Sequence, residues 1–187
     1  MGRVPVVRAN RRERRLRAQS RPVATFSVQV YNRPNGQIAR SDMKVDGGCH
    51  CGLIRYEAEI EEERVIVCHC TDCQTLSGTS FRIAVQTIPG RFWLLAGQPK
   101  VYTKVAESGV GREQGFCPEC GTPIFSRPAG VRNPALSLRV GTLSQRDELT
   151  PSDQYWSRSS QRWLAGLGSI HAWETQPVFH ADGAFDE

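Results

Sequence analysis

Cys68-His69-Cys70-Thr71-Asp72-Cys73 packs three cysteines into six residues, spaced C-x-C-x-x-C. Three thiolates so close along one chain can grip a single soft metal ion, and zinc is the guest their chemistry favours. The set is one donor short of the closed four-ligand shell of a structural zinc. Two pairs flank it in sequence: Cys49 and Cys51 as C-x-C, and Cys117 and Cys120 as C-x-x-C. Seven cysteines is an odd count, C-x-C is poorly shaped for an internal bridge, and residues 1–8 lack the long apolar core of a secretory signal. The cysteines therefore read as metal ligands rather than a disulfide framework.

Cys117-Pro118-Glu119-Cys120-Gly121 has the form of a zinc knuckle, in which the final glycine lets backbone amides turn toward the thiolates. A knuckle supplies two ligands and needs another pair. Spacing leaves open whether that pair is Cys49 and Cys51 or two of the Cys68 cluster. One closed set of four leaves three thiolates, so a second metal would keep an open position. His50 and His69 each sit at the centre of a C-x-C. Extended chain sends successive side chains to opposite faces, so both histidines are expected on the outer face, turned away from a metal. His171 and His180 lie far off in sequence, and Asp72 reads as a helix cap or surface group.

Around these motifs the chain has the period of strands. Ile54, Tyr56, Ala58 and Ile60 alternate with Arg55, Glu57 and Glu59, which predicts a half-buried strand. Glu61-Glu62-Glu63 reads as a turn and a solvated charge run, followed by a short strand over 64–67. Residues 71–77 suit one helical turn capped by Thr71 or Asp72. Phe81, Ile83 and Val85 begin another strand, turned by Pro89-Gly90. Further strands are predicted over 91–96, 101–105, 112–117, 122–126 and 136–140, with turns at 97–99, 108–109 and 128–130. Residues 65–68 and 92–96 read as buried. Residues 154–168 suit a short helix or ordered loop, and 169–173 an edge strand. Short strands at this spacing predict an all-β domain.

Charge divides the chain. Residues 1–42 hold ten Arg against two acids, and the rest holds fourteen Lys and Arg against seventeen acids. The net charge of +5 thus belongs to an N-terminal extension expected to be disordered, while the core offers no nucleic-acid footprint of its own. Nucleic acid could engage only through that Arg-rich segment, which also has the composition of an organelle transit peptide. The break in composition favours Met43 as the true start. Within the extension, Phe26, Val28 and Val30 alternate in strand fashion before an Asn32–Gly36 turn. Hydrophobic content of 39% suits an ordinary globular domain, and no apolar run is long enough to span a membrane. A three-part division follows: extension 1–42, zinc-binding domain 43–178 and acidic tail 179–187. The expected compartment is the cytoplasm.

Gly47-Gly48-Cys49-His50-Cys51-Gly52, then residues 68–73 with Ser77-Gly78-Thr79-Ser80-Phe81, then Phe116-Cys117-Pro118-Glu119-Cys120-Gly121-Thr122 resemble the glutathione-dependent formaldehyde-activating enzyme family, which shares its domain with centromere protein V. Val140-Gly141-Thr142-Leu143 and Ile170-His171-Ala172-Trp173 extend the resemblance from residue 43 to about 177. It implies a zinc-stabilised β-tent of packed antiparallel sheets. It also implies two Zn²⁺ per chain: a structural zinc on Cys49, Cys51, Cys117 and Cys120, and a second, open zinc on Cys68, Cys70 and Cys73. The implied activity is that of a carbon–sulfur lyase, with glutathione or a similar small thiol and formaldehyde or another aldehyde as partners. Three thiolates around Zn²⁺ leave a net charge near −1, a weak Lewis acid that can still take a fourth thiolate. Arg55, Arg82, Lys104, Arg112 and Arg127 are candidates to meet glutathione's carboxylates. Ser77, Thr79 and Ser80 read as turn residues. Two other readings stand beside the enzyme: a non-catalytic zinc-stabilised module for protein or nucleic acid, and a redox sensor built on the exposed cluster.

Overall fold

The computed structural model describes residues 42–105 and 109–176. Residues 1–41 of the Arg-rich extension, with the alternating residues 25–31 and their turn, and His180 and the acidic tail lie outside the described residues. Among those described are eight strands: β1 (Asp42–Gly48), β2 (Arg55–Cys68), β3 (Arg82–Ala96), β4 (Lys100–Val105), β5 (Gly111–Phe116), β6 (Pro123–Pro128), β7 (Ser137–Arg139) and β8 (Asp153–Tyr155). One α-helix, α1 (Thr71–Ser77), and several 3-10 turns complete them. The chain is therefore all-β, as the alternating pattern predicted. No described helix is long and apolar enough to cross a membrane.

The hydrogen-bonded order is β1-β2-β3-β7-β6-β5-β4, antiparallel throughout, with β8 added in parallel to β2. Tyr56, Ala58 and Ile60 are buried along β2 while Arg55 and Glu57 stay wet. Phe92, late in β3, meets Tyr56 at 5.2 Å and Phe125 of β6 at 5.8 Å between ring centroids. The sheet thus curls until its distant parts touch across an aromatic core.

Beyond residue 64 the sheet has two inner surfaces. Val65, Val85, Leu138 and Phe125 point one way into the apolar core. Their sequence neighbours Ile66, Ala84, Arg139 and Ser126 point the other way and line a cavity. Period-two alternation thus gives neighbouring residues of one short strand to a greasy core or to a polar chamber.

The structure corrects several expectations. Residues 61–63 do not turn: β2 runs through them, and Glu61 is buried at 8% exposure, paired with Arg64 at 3.1 Å. Pro89-Gly90 likewise lies inside β3. The pairing Ala58↔Phe92, Ile60↔Thr87, Val65↔Val85 shows why. Extra residues on β3 after Thr87 are answered by extra residues on β2 after Ile60, so two bulges take up the local turn signals without ending either strand. Residues 93–95 are exposed rather than buried, because β7 covers only the first part of β3. Residues 170–173 form no strand. Instead β8, unpredicted, pairs with β2 ahead of the 3-10 turns Ser157–Ser159 and Arg162–Ser169.

Gly115 lets β5 pass the Phe125 ring, whose atoms occupy the space a Cβ would need. Gly115→Ala is expected to cost about 1–3 kcal/mol by overpacking, read as a lowered Tm in thermal denaturation. An unchanged Tm would mean that the Phe125 ring shifts freely.

Candidate metal centres

Four cysteines meet where the β1–β2 corner approaches the β5–β6 corner. Cys49 follows β1, and its Sγ accepts a hydrogen bond from the Ile54 N–H at 3.2 Å. The knuckle closes when Gly121, at φ +72°, donates its N–H to the Cys117 carbonyl at 3.0 Å. That left-handed conformation is why a glycine follows the second cysteine. The corners are joined by the His50 N–H, which donates to Thr122 Oγ1 at 3.2 Å. Cys49 and Cys51 sulfurs lie 3.5 Å apart, Cys51 and Cys117 lie 3.8 Å apart, and all four sulfurs including Cys120 fall within 4.8 Å of one another. Cys49 and Cys117 are buried, Cys51 and Cys120 exposed. The pairing that spacing left open is thus Cys49 and Cys51 with the knuckle.

The second set gathers at the corner between β2 and α1. Cys68 ends β2, Cys70 caps the helix, and Cys73 lies in its first turn. The cap is Cys70 Sγ, accepting from the Cys73 N–H at 3.3 Å, rather than Thr71 or Asp72. The three sulfurs lie within 4.8 Å of one another, and all three residues are half-buried.

The proton affinities within each set diverge, because sulfurs this close cannot all ionise unaided. The hydrogen bond from Cys73 holds the Cys68 thiol down to about 5 against burial, with help from Cys70 and the Arg82 charge. Cys73 is pushed up by Cys68 and by burial. In the other set Thr122 draws Cys120 down to about 5. The Leu53 backbone favours a Cys51 thiolate, but Cys49 and the other sulfurs outweigh it and raise Cys51 to about 12. A cation placed among the sulfurs removes this conflict, so both sets fit a thiophilic metal ion.

Neither cluster includes a histidine. His50 is exposed. His69 faces away from the sulfurs, as strand alternation required, but not into water: it is 3% exposed. Its Nε2 lies 3.1 Å from Gln154 Oε1, and its ring meets Phe81 edge-on at 5.8 Å. The cover comes from β8, whose Tyr155 carbonyl accepts the His69 N–H at 2.9 Å. His171 packs against Trp173 on an exposed stretch. Ser77, Thr79 and Ser80 serve the turn after α1: Ser77 Oγ donates to the Cys73 carbonyl at 2.6 Å, Thr79 Oγ1 to the Phe81 carbonyl, and Ser80 Oγ to Gln161 at 3.1 Å.

Cys68, Cys70 and Cys73 open onto a cavity of about 560 Å³. Five cations line it: Arg82, Lys104, Arg112, Arg139 and Arg158. Its one lining carboxylate, Asp72, is paired with Lys104. Three of the five predicted cation candidates are therefore here. Arg55 is exposed elsewhere, and Arg127 is held by Glu113 at 2.6 Å. Arg139 was missed, although an arginine between Leu138 and Val140 in an apolar run was a signal of a buried charge. Arg158 was missed too. Trp156, at φ +59°, turns the chain after β8 over the cavity, and the Arg158 guanidinium stacks 4.6 Å from its ring centre. A second cavity of about 490 Å³, beside Glu57 and Trp93, holds no sulfur.

A crystal structure of a Rhodobacter sphaeroides protein is similar at 19% identity, with 58% of this chain and 98% of that chain covered and a TM-score of 0.46. The model of the glutathione-dependent formaldehyde-activating enzyme family matches residues 44–159, a span that includes all seven cysteines. Over that span, more than half of its length, the chain belongs to the glutathione-dependent formaldehyde-activating enzyme family.

Proposed function

We propose that the chain is a zinc-dependent carbon–sulfur lyase-type enzyme that joins a small thiol, such as glutathione, to formaldehyde or another aldehyde, and cleaves the adduct in reverse. The observation that carries this reading is the three-sulfur set of Cys68, Cys70 and Cys73 opening onto a cationic cavity, inside the family match. Cys49, Cys51, Cys117 and Cys120 would hold a structural zinc. Zinc–sulfur bonds of about 2.3 Å in a tetrahedron put sulfurs about 3.8 Å apart. The distances of 3.5 and 3.8 Å among Cys49, Cys51 and Cys117 support that ion.

Cys68, Cys70 and Cys73 would hold a second zinc, whose chemistry there would be to lower the pKa of a thiol entering the cavity. The chain's own part is placement. A cavity of about 560 Å³ lies within the usual range for small-molecule sites, and its cations suit the two carboxylates of glutathione. With the thiol seated in the cavity, its sulfur adds to the aldehyde carbon and the carbonyl oxygen takes up the proton the thiol lost. The product is an S-hydroxymethyl thioether, and the reverse breaks the carbon–sulfur bond. Proximity is the main gain. A reducing cytoplasm belongs to this reading, because it keeps seven free cysteines available as ligands.

The protein is expected to carry two zinc ions per chain by elemental analysis. Cys117→Ser should lose one and lower the Tm, since that set clamps residues about seventy apart. Cys70→Ser should lose the other and keep the fold. Ligation needs thiolates, so protons compete and both ions should leave as pH falls; chelator release measured from pH 8 to 5 reports this.

Adduct formation followed by NMR or stopped flow should be faster than the spontaneous reaction, and Cys70→Ser should lose roughly 10²-fold. No acceleration with several thiols, from protein holding both zincs, would overturn the enzyme and favour the interaction module.

A further inference from the structure

The sheet register places two arginines beside the open cysteine set. Cys68 pairs with Arg82 across β2 and β3, and Ala84 pairs with Arg139 across β3 and β7. Directly paired residues share a face, as do alternate residues of one strand. Cys68, Arg82 and Arg139 therefore lie along one face of the sheet, and all three line the cavity.

Both arginines are 6% exposed. Gln114 Oε1 accepts from Arg139 Nη2 at 2.8 Å and from Arg82 Nη1 at 3.3 Å. Arg139 Nη1 also reaches the Ser137 carbonyl at 3.4 Å. The Nε of each is buried without a partner. Neither has an ion pair with a carboxylate among the described residues. Burial, and then the charge of Arg82, push Arg139 down to about 9.

Buried charges are normally paired, and arginine is the side chain best shaped for a carboxylate. The thiolate set answers only part of this charge. Three thiolates around one divalent ion carry a net charge near −1, against two buried guanidiniums. At least one positive charge is left over on the cavity wall, and a carboxylate would meet it.

We propose that Arg82 and Arg139, bridged by Gln114, form an anion subsite in the cysteine cavity that receives a carboxylate of one of the two reactants. This rests on the thiol–aldehyde reading above and goes beyond it by singling out, among the five cations of the cavity, the pair that meets a reactant's carboxylate. The carboxylate can come from the thiol, as in glutathione, or from the aldehyde, as in a 2-oxo acid such as glyoxylate. Both would meet the same guanidinium pair.

The test is calorimetric titration of the zinc-loaded full chain, which needs no turnover. S-methylglutathione is compared with its diethyl ester, and glyoxylate with ethyl glyoxylate. The subsite predicts that at least one acid binds at least tenfold more tightly than its ester, and that Arg139→Gln removes the difference with two zincs retained. Preference for S-methylglutathione assigns the subsite to the thiol, and preference for glyoxylate assigns it to the aldehyde. Equal binding of acid and ester in both pairs overturns the proposal, and the wild-type comparison gives that answer even if Arg139→Gln fails to fold. In parallel, KM for glutathione is measured against 2-mercaptoethanol with formaldehyde, in wild type and Arg139→Gln. Failure of every thiol–aldehyde pair to react faster would sink the enzyme reading, while the titrations would still decide the subsite.

Discussion

The approach of Cys51 Sγ to Cys117 Sγ, 3.8 Å apart across sixty-six residues, is the contact on which the architecture leans most. Among the described residues, β4, β5 and β6 join the rest of the sheet by strand pairing only through the short β7, which pairs with β6 at two positions. Aromatic packing of Phe92 on Phe125 adds a second tie. The sulfur cluster is another, joining the β1–β2 corner to the β5–β6 corner. Its thiols conflict as neighbours and agree as ligands of one cation, so the tie has full strength only when metal is bound. A metal ion bound there would couple the fold to metal content through this corner.

The curl that this corner holds creates the chamber. A flat sheet of the same strands would wet the face carrying Cys68, Arg82 and Arg139. Curled, that face becomes the wall of a cavity while the opposite face packs Val65, Val85 and Leu138. Burying guanidiniums there opposes folding. Such groups are explained by what they meet. The protein keeps a polar, cationic interior next to its three free sulfurs, and Lys104 neutralises the one acid on its wall.

Periodicity carried much of this architecture before any coordinates. The alternation from Ile54 to Ile60 placed the core face of β2 correctly, and the cysteine spacings marked all three corners. What stayed hidden depends on partners distant in sequence. The charge run 61–63 and Pro89-Gly90 are sound local turn signals, and each is absorbed as a bulge because the other strand carries a matching insertion. His69 was expected on the outer face, turned away from the sulfurs, but alternation could not reveal that β8, arriving from eighty-five residues away, buries it there. Residues 92–96 look like core by composition, yet β7 pairs with β3 only at residues 84–86, and residues 93–95 are left exposed. Cys70 as helix cap was legible in principle. A thiolate accepts an N–H as a carboxylate does, but sulfur is seldom weighed as a cap.

Why one cysteine set closes with four donors and the other stops at three follows from where the chain can bring ligands. The four-donor set draws two sulfurs from each of two corners, so each corner needs only one tight turn. The three-donor set comes from a single corner, with its fourth direction facing the cavity. The two nearest side chains able to fill it are held elsewhere. His69 is carried to the far face by strand alternation and fixed there against Gln154 and Phe81. Asp72 is engaged by Lys104 across the helix N-terminus. The cavity wall offers cations, amides and hydroxyls in place of another sulfur or imidazole. The missing donor is therefore built in by the position of the C-x-C on the end of β2, and a molecule that completes the set must enter through a chamber whose charge favours anions.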